Sequence, residues 1–274
     1  MKSTLARRHA RDALLVTGIL YLGYIGLRQI VPALADYTGL FLLVGFYFLP
    51  GWMLRDHPAL AAADQVGPDG PIPPWQTKGA RWALLLCLLV FPPFVLGFLW
   101  FYAEVCQGQT WMIQPVYWLE DFSPWSGRLS RFLDRLCQEH NGEFFPPNWV
   151  LPNAWQEYWG LGFFYQLANG IFAVALPEEV FHRGYLLGVF ERAWPARFRV
   201  FGVPMGWAAI LSSAIFAVGH LASVGETSRL ATFFPSIVFV WIWRKSGSLW
   251  APTLFHVASN LLMDFLLTST FQAR

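Results

Sequence analysis

A few groups able to do chemistry stand where an apolar sequence should have none. Glu178, Glu179, His182 and Arg183 interrupt the run LANGIFAVALPEEVFHRGYLLGVFER; His220 closes FAVGH; His256 and Asn260 bracket HVASN. Ionisable groups in apolar segments are costly and point to function by default. Glu179 and Arg183 are i, i+4 on a helix, so an ion pair there neutralises two charges that lipid would penalise singly. Glu178 points about 100° away from Glu179 and shares a face with His182. A glutamate and a histidine brought together have the makings of a general base for activating water. His256 and Asn260 are again i, i+4, and an imidazole N–H beside a carboxamide N–H suits the oxyanion of acyl transfer. Pro177, just before the pair, should start or kink its helix and free a carbonyl near the site.

Each motif alone has a plainer reading. A lone Glu–Arg pair in a membrane helix is often structural, and a lone histidine near a helix end is usually a packing residue. Three motifs in three separate apolar segments, with few competing charges, weigh against those readings. Arg28 and Asp264 are the main other charges in such segments. Arg28 is expected to reach toward the interface or cap a cavity, and Asp264 to lie at an outer end.

The positioning elements follow from composition. Of the 274 residues 55% are hydrophobic and 13% charged, against about 25% charged in ordinary soluble domains. Seven apolar segments run roughly over 13–33, 37–54, 82–103, 165–190, 204–221, 230–243 and 249–268. A bilayer core of about 30 Å takes about 20 helical residues, and backbone groups in lipid must pair within their own segment. The expected fold is therefore all-α, a polytopic transmembrane bundle of about seven helices with the reactive residues in the last four. The sixth segment is short for a full crossing. Counting about 1.5 Å per residue brings Glu178, His220, His256 and Asn260 to overlapping depths near the membrane centre.

Twelve basic residues fall on one side of such a bundle and five on the other. The positive-inside rule then places the N-terminus in the cytoplasm. The basic N-terminus lacks a convincing cleavage site and reads as a retained first helix. Residues 57–76 (GPDGPIPP at 67–74) read as a flexible connector. Residues 104–157 carry seven acidic and three basic residues, with many aromatics; they form either an ordered extracytoplasmic cap or a plain interfacial loop. Three parts result: 1–103, N-terminal helices with the connector; 104–164, the aromatic acidic loop; 165–274, the catalytic core. Cys106 and Cys137 could pair if that loop faces an oxidising compartment, whereas Cys87 is a packing residue. A net charge of +2 gives no sign of nucleic-acid binding, and no matching half-repeats suggest a transporter.

EEVFHR (178–183), FAVGH (216–220) and HVASN (256–260) resemble the three motifs of the CAAX protease and bacteriocin-processing family, also called the Abi family. The likeness covers roughly 165–268. It implies an intramembrane endopeptidase in which Glu178 and His220 activate a water, His256 and Asn260 hold the oxyanion, and Glu179 and Arg183 fix the geometry. It implies a membrane-associated or exported protein as substrate, cut in or near a membrane segment or C-terminal tail. Some bacterial members are sorting proteases of the myxosortase-like kind, which points to a bacterial plasma membrane. Glu178, His220 and His256 also make the two-His, one-carboxylate set of a catalytic zinc site. No HExxH helix motif accompanies them, so the expectation is no cofactor, with zinc as the alternative. A non-catalytic immunity or scaffold protein is the reading from another class.

Overall fold

A computed structural model describes residues 2–31, 37–55, 75–107, 126–138, 140 and 142–271. The connector at 57–74 and residues 108–125 of the acidic loop lie outside the described residues. The first helices are α1 (Lys2–Ile30), α2 (Thr38–Leu54), α3 (Thr77–Gln107) and α4 (Ser126–Gln138). After the short α5 (Asn153–Gln156) comes a helical run through α6 (Leu161–Asn169), α7 (Leu176–Glu179) and α8 (Leu187–Ala193). A hairpin follows, β1 (Phe198–Val200) against β2 (Val203–Met205), and then α9 (Trp207–Val224), α10 (Phe233–Ser246) and α11 (Trp250–Phe271).

The protein is an all-α membrane bundle apart from that hairpin. Among the described residues, four helices are long and apolar enough to cross a bilayer: Thr4–Ile30, Thr77–Gln107, Trp207–Val224 and Trp250–Phe271. The apolar window of α3 is only 11% buried, as suits a helix whose surroundings are lipid. At about 1.5 Å per residue, the 14 residues of α10 reach about 21 Å, short of a bilayer core. Gly247, at φ 64°, ends it in the left-handed conformation that glycine adopts without strain.

Helices α6, α7 and α8 are joined by two stretches of π winding, Gly170–Ala175 and Val180–Leu186. Pro177 lies between them and cannot donate to the preceding turn. The helix continues past Pro177 by widening its register on both sides, and Val180 N–H returns to the carbonyls of Leu176 and Pro177. The sequence reading foresaw a start or kink at Pro177; the widened winding is how the chain accommodates it.

Contacts divide the chain into two compact units: Met1–Leu84 with Ala168–Val257, and Leu85–Leu167 with Ala258–Arg274. Their boundaries fall inside α3, α6 and α11.

The first unit is built around residues 175–190. All of them are buried except Glu178, which is half-buried. Leu176, Val180, Phe181, Leu187 and Phe190 form one cluster with Ala10, Ala13 and Leu20 of α1, Phe46 of α2 and Val240 of α10. A helix apolar on every side belongs at a centre, and this one carries its charges there.

The second unit packs Phe98, Tyr102 and Val105 of α3 with Leu133 and Leu136 of α4 and with Phe144, Leu266 and Phe271. A disulfide joins Cys106 to Cys137 with a Cα–Cα distance of 5.6 Å. Backbone bonds from Phe145 N–H to the Thr270 carbonyl (2.8 Å) and from Asn148 N–H to the Ser269 carbonyl (3.0 Å) hold the following stretch. The described part of the 104–157 loop is thus ordered, with its own helix and covalent tie.

Candidate functional site

Three of the residues singled out by the motifs converge in the first unit. The carboxylate of Glu178 and a ring nitrogen of each of His220 and His256 lie within 4.8 Å of one another. Glu178 Oε2 is 3.9 Å from His220 Nε2 and 3.8 Å from His256 Nε2. Both gaps are too long for a direct hydrogen bond, and Glu178 Oε2 has no hydrogen-bond partner. The side chains of Glu178 and His220 are 17% and 21% exposed, that of His256 only 3%. The centre is reached from the Glu178 and His220 side and closed behind His256.

Each imidazole is fixed through its other nitrogen. His220 Nδ1 is 3.0 Å from the Phe216 carbonyl, which can only accept, so Nδ1 carries the proton. His256 Nδ1 is 3.0 Å from Glu179 Oε1 and donates to that carboxylate. Outer partners of this kind set the tautomer and the aim of a ring.

Glu179 is fully buried and also pairs with Arg183, Nε to Oε2 at 3.1 Å. This is the i, i+4 ion pair read from the sequence. Arg183 donates from Nη2 to Ser236 Oγ at 2.8 Å, and its guanidinium lies over Phe216 and Phe239, 4.4 and 5.0 Å from their centroids. Phe216 lies beside His220 at 4.3 Å and His256 at 5.7 Å. Phe239 stacks on His256 at 4.8 Å. A buried charge chain, Arg183–Glu179–His256, is thereby clamped between two aromatic rings.

His182 does not join the centre. Its Nε2 meets the Tyr21 hydroxyl at 3.2 Å, its carbonyl accepts from Ser212 Oγ at 3.0 Å, and Phe46 approaches its ring edge-on. Glu178 and His182 are i, i+4, but the His182 ring is engaged by Tyr21 of α1 and Phe46 of α2 and is not part of the centre. Asn260 follows His256 on α11, belongs to the second unit and is exposed. Asp264 is exposed as well. Arg28 donates to the Ser223 carbonyl at 2.7 Å, beside Tyr24 at 3.2 Å, and so caps the last turn of α9 beyond His220.

Tyr21, Ser236 and Phe239 are supporting residues that motif reading passed over. Tyr21 lies so close to α9 that a Cβ on Gly219 would collide with its hydroxyl and ring. Only the bare backbone of glycine beside His220 allows that approach. Ser236 had a weak signal, as a small polar residue in the apolar run FFPSIVFV. Tyr21 had none, being one of nine tyrosines.

Glu178, His220 and His256 form a water-sized set of polar groups. A water in a tetrahedral array of hydrogen bonds about 2.8 Å long keeps its partners about 4.6 Å apart. A zinc ion bonded at about 2.0–2.1 Å brings its ligands to about 3.4 Å. The observed separations of 3.8 and 3.9 Å, with all three groups within 4.8 Å, lie between these limits. The donor set is chemically competent for either occupant.

Residues 160–262 match the model of the Rce1-like family, type II CAAX prenyl endopeptidase Rce1-like. Searches of curated proteins and of solved structures found no match. The matched segment holds all three motifs and every member of the Glu178–His220–His256 centre. Residues 160–262 are thus similar to an Rce1-like domain of the CAAX-protease type.

Proposed function

We propose that the protein is an intramembrane endopeptidase in which Glu178 is the general base. The observation that carries this reading is the unpartnered Oε2 of Glu178, the one half-buried group in an otherwise buried stretch, facing two histidine Nε2 atoms at 3.8 and 3.9 Å. His220 presents an unprotonated Nε2 that accepts from a water and orients it. Glu178 removes a proton as the water oxygen bonds to the scissile carbonyl carbon. The C–N bond then breaks, and the proton passes from Glu178 to the leaving amine. The tetrahedral oxyanion is held by His256. That role requires His256 to carry protons on both nitrogens, with Nδ1–H on Glu179. Glu179 and Arg183 keep the ring in place.

The substrate is the membrane segment or C-terminal tail of a membrane-associated or exported protein, in the manner of a bacterial sorting protease. The N-terminus is cytoplasmic and the membrane is a bacterial plasma membrane. Two features support this placement: the excess of basic residues on the N-terminal side, and the Cys106–Cys137 disulfide, which suits an oxidising exterior.

The test is cleavage of a reporter with a hydrophobic C-terminal segment by the purified chain. Glu178→Gln should lose about 10²–10⁴-fold in kcat, the usual worth of positioned acid–base catalysis. Wild-type rates in that variant would sink the mechanism. A zinc-dependent protease using the same three residues is the second reading, favoured by two Nε2 lone pairs aimed at one point with Nδ1 tied on each ring. Activity that a strong zinc chelator removes and added zinc restores would select it.

A further inference from the structure

The β1–β2 hairpin has no part in the chemistry above, yet it is firmly held. Arg199 Nη1 donates to the Gly202 carbonyl at 2.8 Å, and Trp241 Nε1 donates to the Val200 carbonyl at 2.9 Å. Its tip carries Phe201, 86% exposed and at φ 47°. A bulky aromatic held in the left-handed region is strained. In water it also exposes almost its whole ring. Phe198 is 52% exposed on the same hairpin, and Trp207, at the start of α9, is 57% exposed. Beside them lies a groove of about 490 Å³ lined by Trp194, Arg197, Trp207, Ile210, Leu211 and Ala214. Its walls are apolar except for one guanidinium.

We propose that this groove binds an anionic phospholipid, with the phosphate on Arg197 and one acyl chain along Ile210, Leu211 and Ala214. Three observations identify the occupant. Trp207 is the first residue of a helix long and apolar enough to cross the membrane, so the groove opens where that helix enters the bilayer, the level at which tryptophan and tyrosine collect. The guanidinium of Arg197 has no acidic partner among the described residues, whereas nearby Arg244 is paired with Glu191. A planar guanidinium fits a phosphate through two parallel hydrogen bonds. Finally, Arg199 on the same hairpin adds positive charge, so a lipid of net negative charge is favoured over a zwitterionic one, whose own cation offsets its phosphate. The exposed Phe201 and Phe198 rings then sit among lipid rather than in water.

The experiment is native mass spectrometry of the purified full chain with equimolar phosphatidylglycerol and phosphatidylcholine. Wild type should retain phosphatidylglycerol about fivefold over phosphatidylcholine, the discrimination one basic group near an anionic surface supplies. In Arg197→Gln the preference should fall to about one, with no change in thermal unfolding because Arg197 is exposed. Ala214→Trp, which fills the groove, should lower retention of both lipids, while Arg128→Gln in the other unit should leave the ratio as it was. Equal retention of the two lipids by wild type would overturn the proposal, and so would an unchanged ratio in Arg197→Gln. Displacement of bound phosphatidylglycerol by excess inorganic phosphate alone would also refute it, by making the site one for free phosphate.

Discussion

The two compact units solve the same problem by different means. The first buries charge: Arg183, Glu179 and His256 are almost wholly enclosed and pair with one another between two aromatic rings. The second buries no such charge chain among its described residues. It relies on an aromatic cluster around Tyr102 and Phe271, whose centroids lie 5.1 Å apart, and on a covalent tie between α3 and α4. In lipid, helices gain little from hydrophobic association, so packing and polar contacts specify the arrangement. The charge chain therefore gives the first unit both its geometry and its chemistry, while the second unit needs only to be held.

The sharpest break in that comparison is within the first unit, between neighbouring glutamates. Glu178 is half-buried and unpartnered; Glu179 is buried and doubly partnered. Glu178→Gln should abolish reporter cleavage while the thermal unfolding of the purified protein stays within about 1 kcal/mol of wild type, as for a substitution that removes no paired group. Glu179→Gln should behave in the opposite sense. It leaves Arg183 buried without its counter-charge, at a cost of about 3–5 kcal/mol. Replacing both as Glu179→Leu with Arg183→Met should recover part of that loss without restoring cleavage, because His256 still lacks its Nδ1 partner. A double variant as unstable as the sum of the singles would show that the two residues are not coupled.

The second unit makes the matching prediction. Cys137→Ser releases a loop whose ends are 31 residues apart, which should cost about 3–4 kcal/mol on chain-entropy grounds. The same loss should appear in wild type under reducing conditions and be absent when Cys87→Ser is tested instead. Cys87 is the free cysteine among the described residues. A reductant-insensitive unfolding midpoint in wild type would remove the covalent tie as the stabilising element.

What sequence could and could not reveal follows the same line. Glu178, His220 and His256 were legible because ionisable groups are rare in apolar runs, so each one found was informative. The Glu179–Arg183 pair was legible because an i, i+4 spacing is a local geometric fact. The neighbours of these residues were not. Tyr21 and Phe239 are aromatics in a chain that is 18% aromatic, and nothing in their type or spacing separates a ring against an imidazole from a ring against lipid; Phe216 was picked out only through the FAVGH motif. That the His182 ring meets Tyr21 of α1 was not legible, because spacing on one helix says nothing about which other helix packs against it. The β1–β2 hairpin escaped because each strand is three residues long, too short to show alternation. The pairing of Cys106 with Cys137 was open in sequence, since spacing says nothing about whether two cysteines come within bridging distance.

The smallest expected effect tests whether α1, which lies outside the family-matched segment, takes part in shaping the site. Gly219 separates the Tyr21 ring from His220 by the thickness of a bare backbone. Gly219→Ala forces the ring or α9 to move, and overpacking of this kind costs about 1–3 kcal/mol. Tyr21→Phe removes only the hydroxyl and its bond to His182, about 1 kcal/mol, and leaves the ring in place. If α1 positions His220 through contact, Gly219→Ala should lower kcat severalfold with KM unchanged, and Tyr21→Phe should keep nearly full activity. Combining Gly219→Ala with Tyr21→Leu, which takes away the colliding hydroxyl and ring edge, should return most of the lost kcat. If instead Tyr21→Phe alone costs as much activity as Gly219→Ala, then the Tyr21–His182 hydrogen bond, and not the fit of the ring against Gly219, is what holds the catalytic histidine in register.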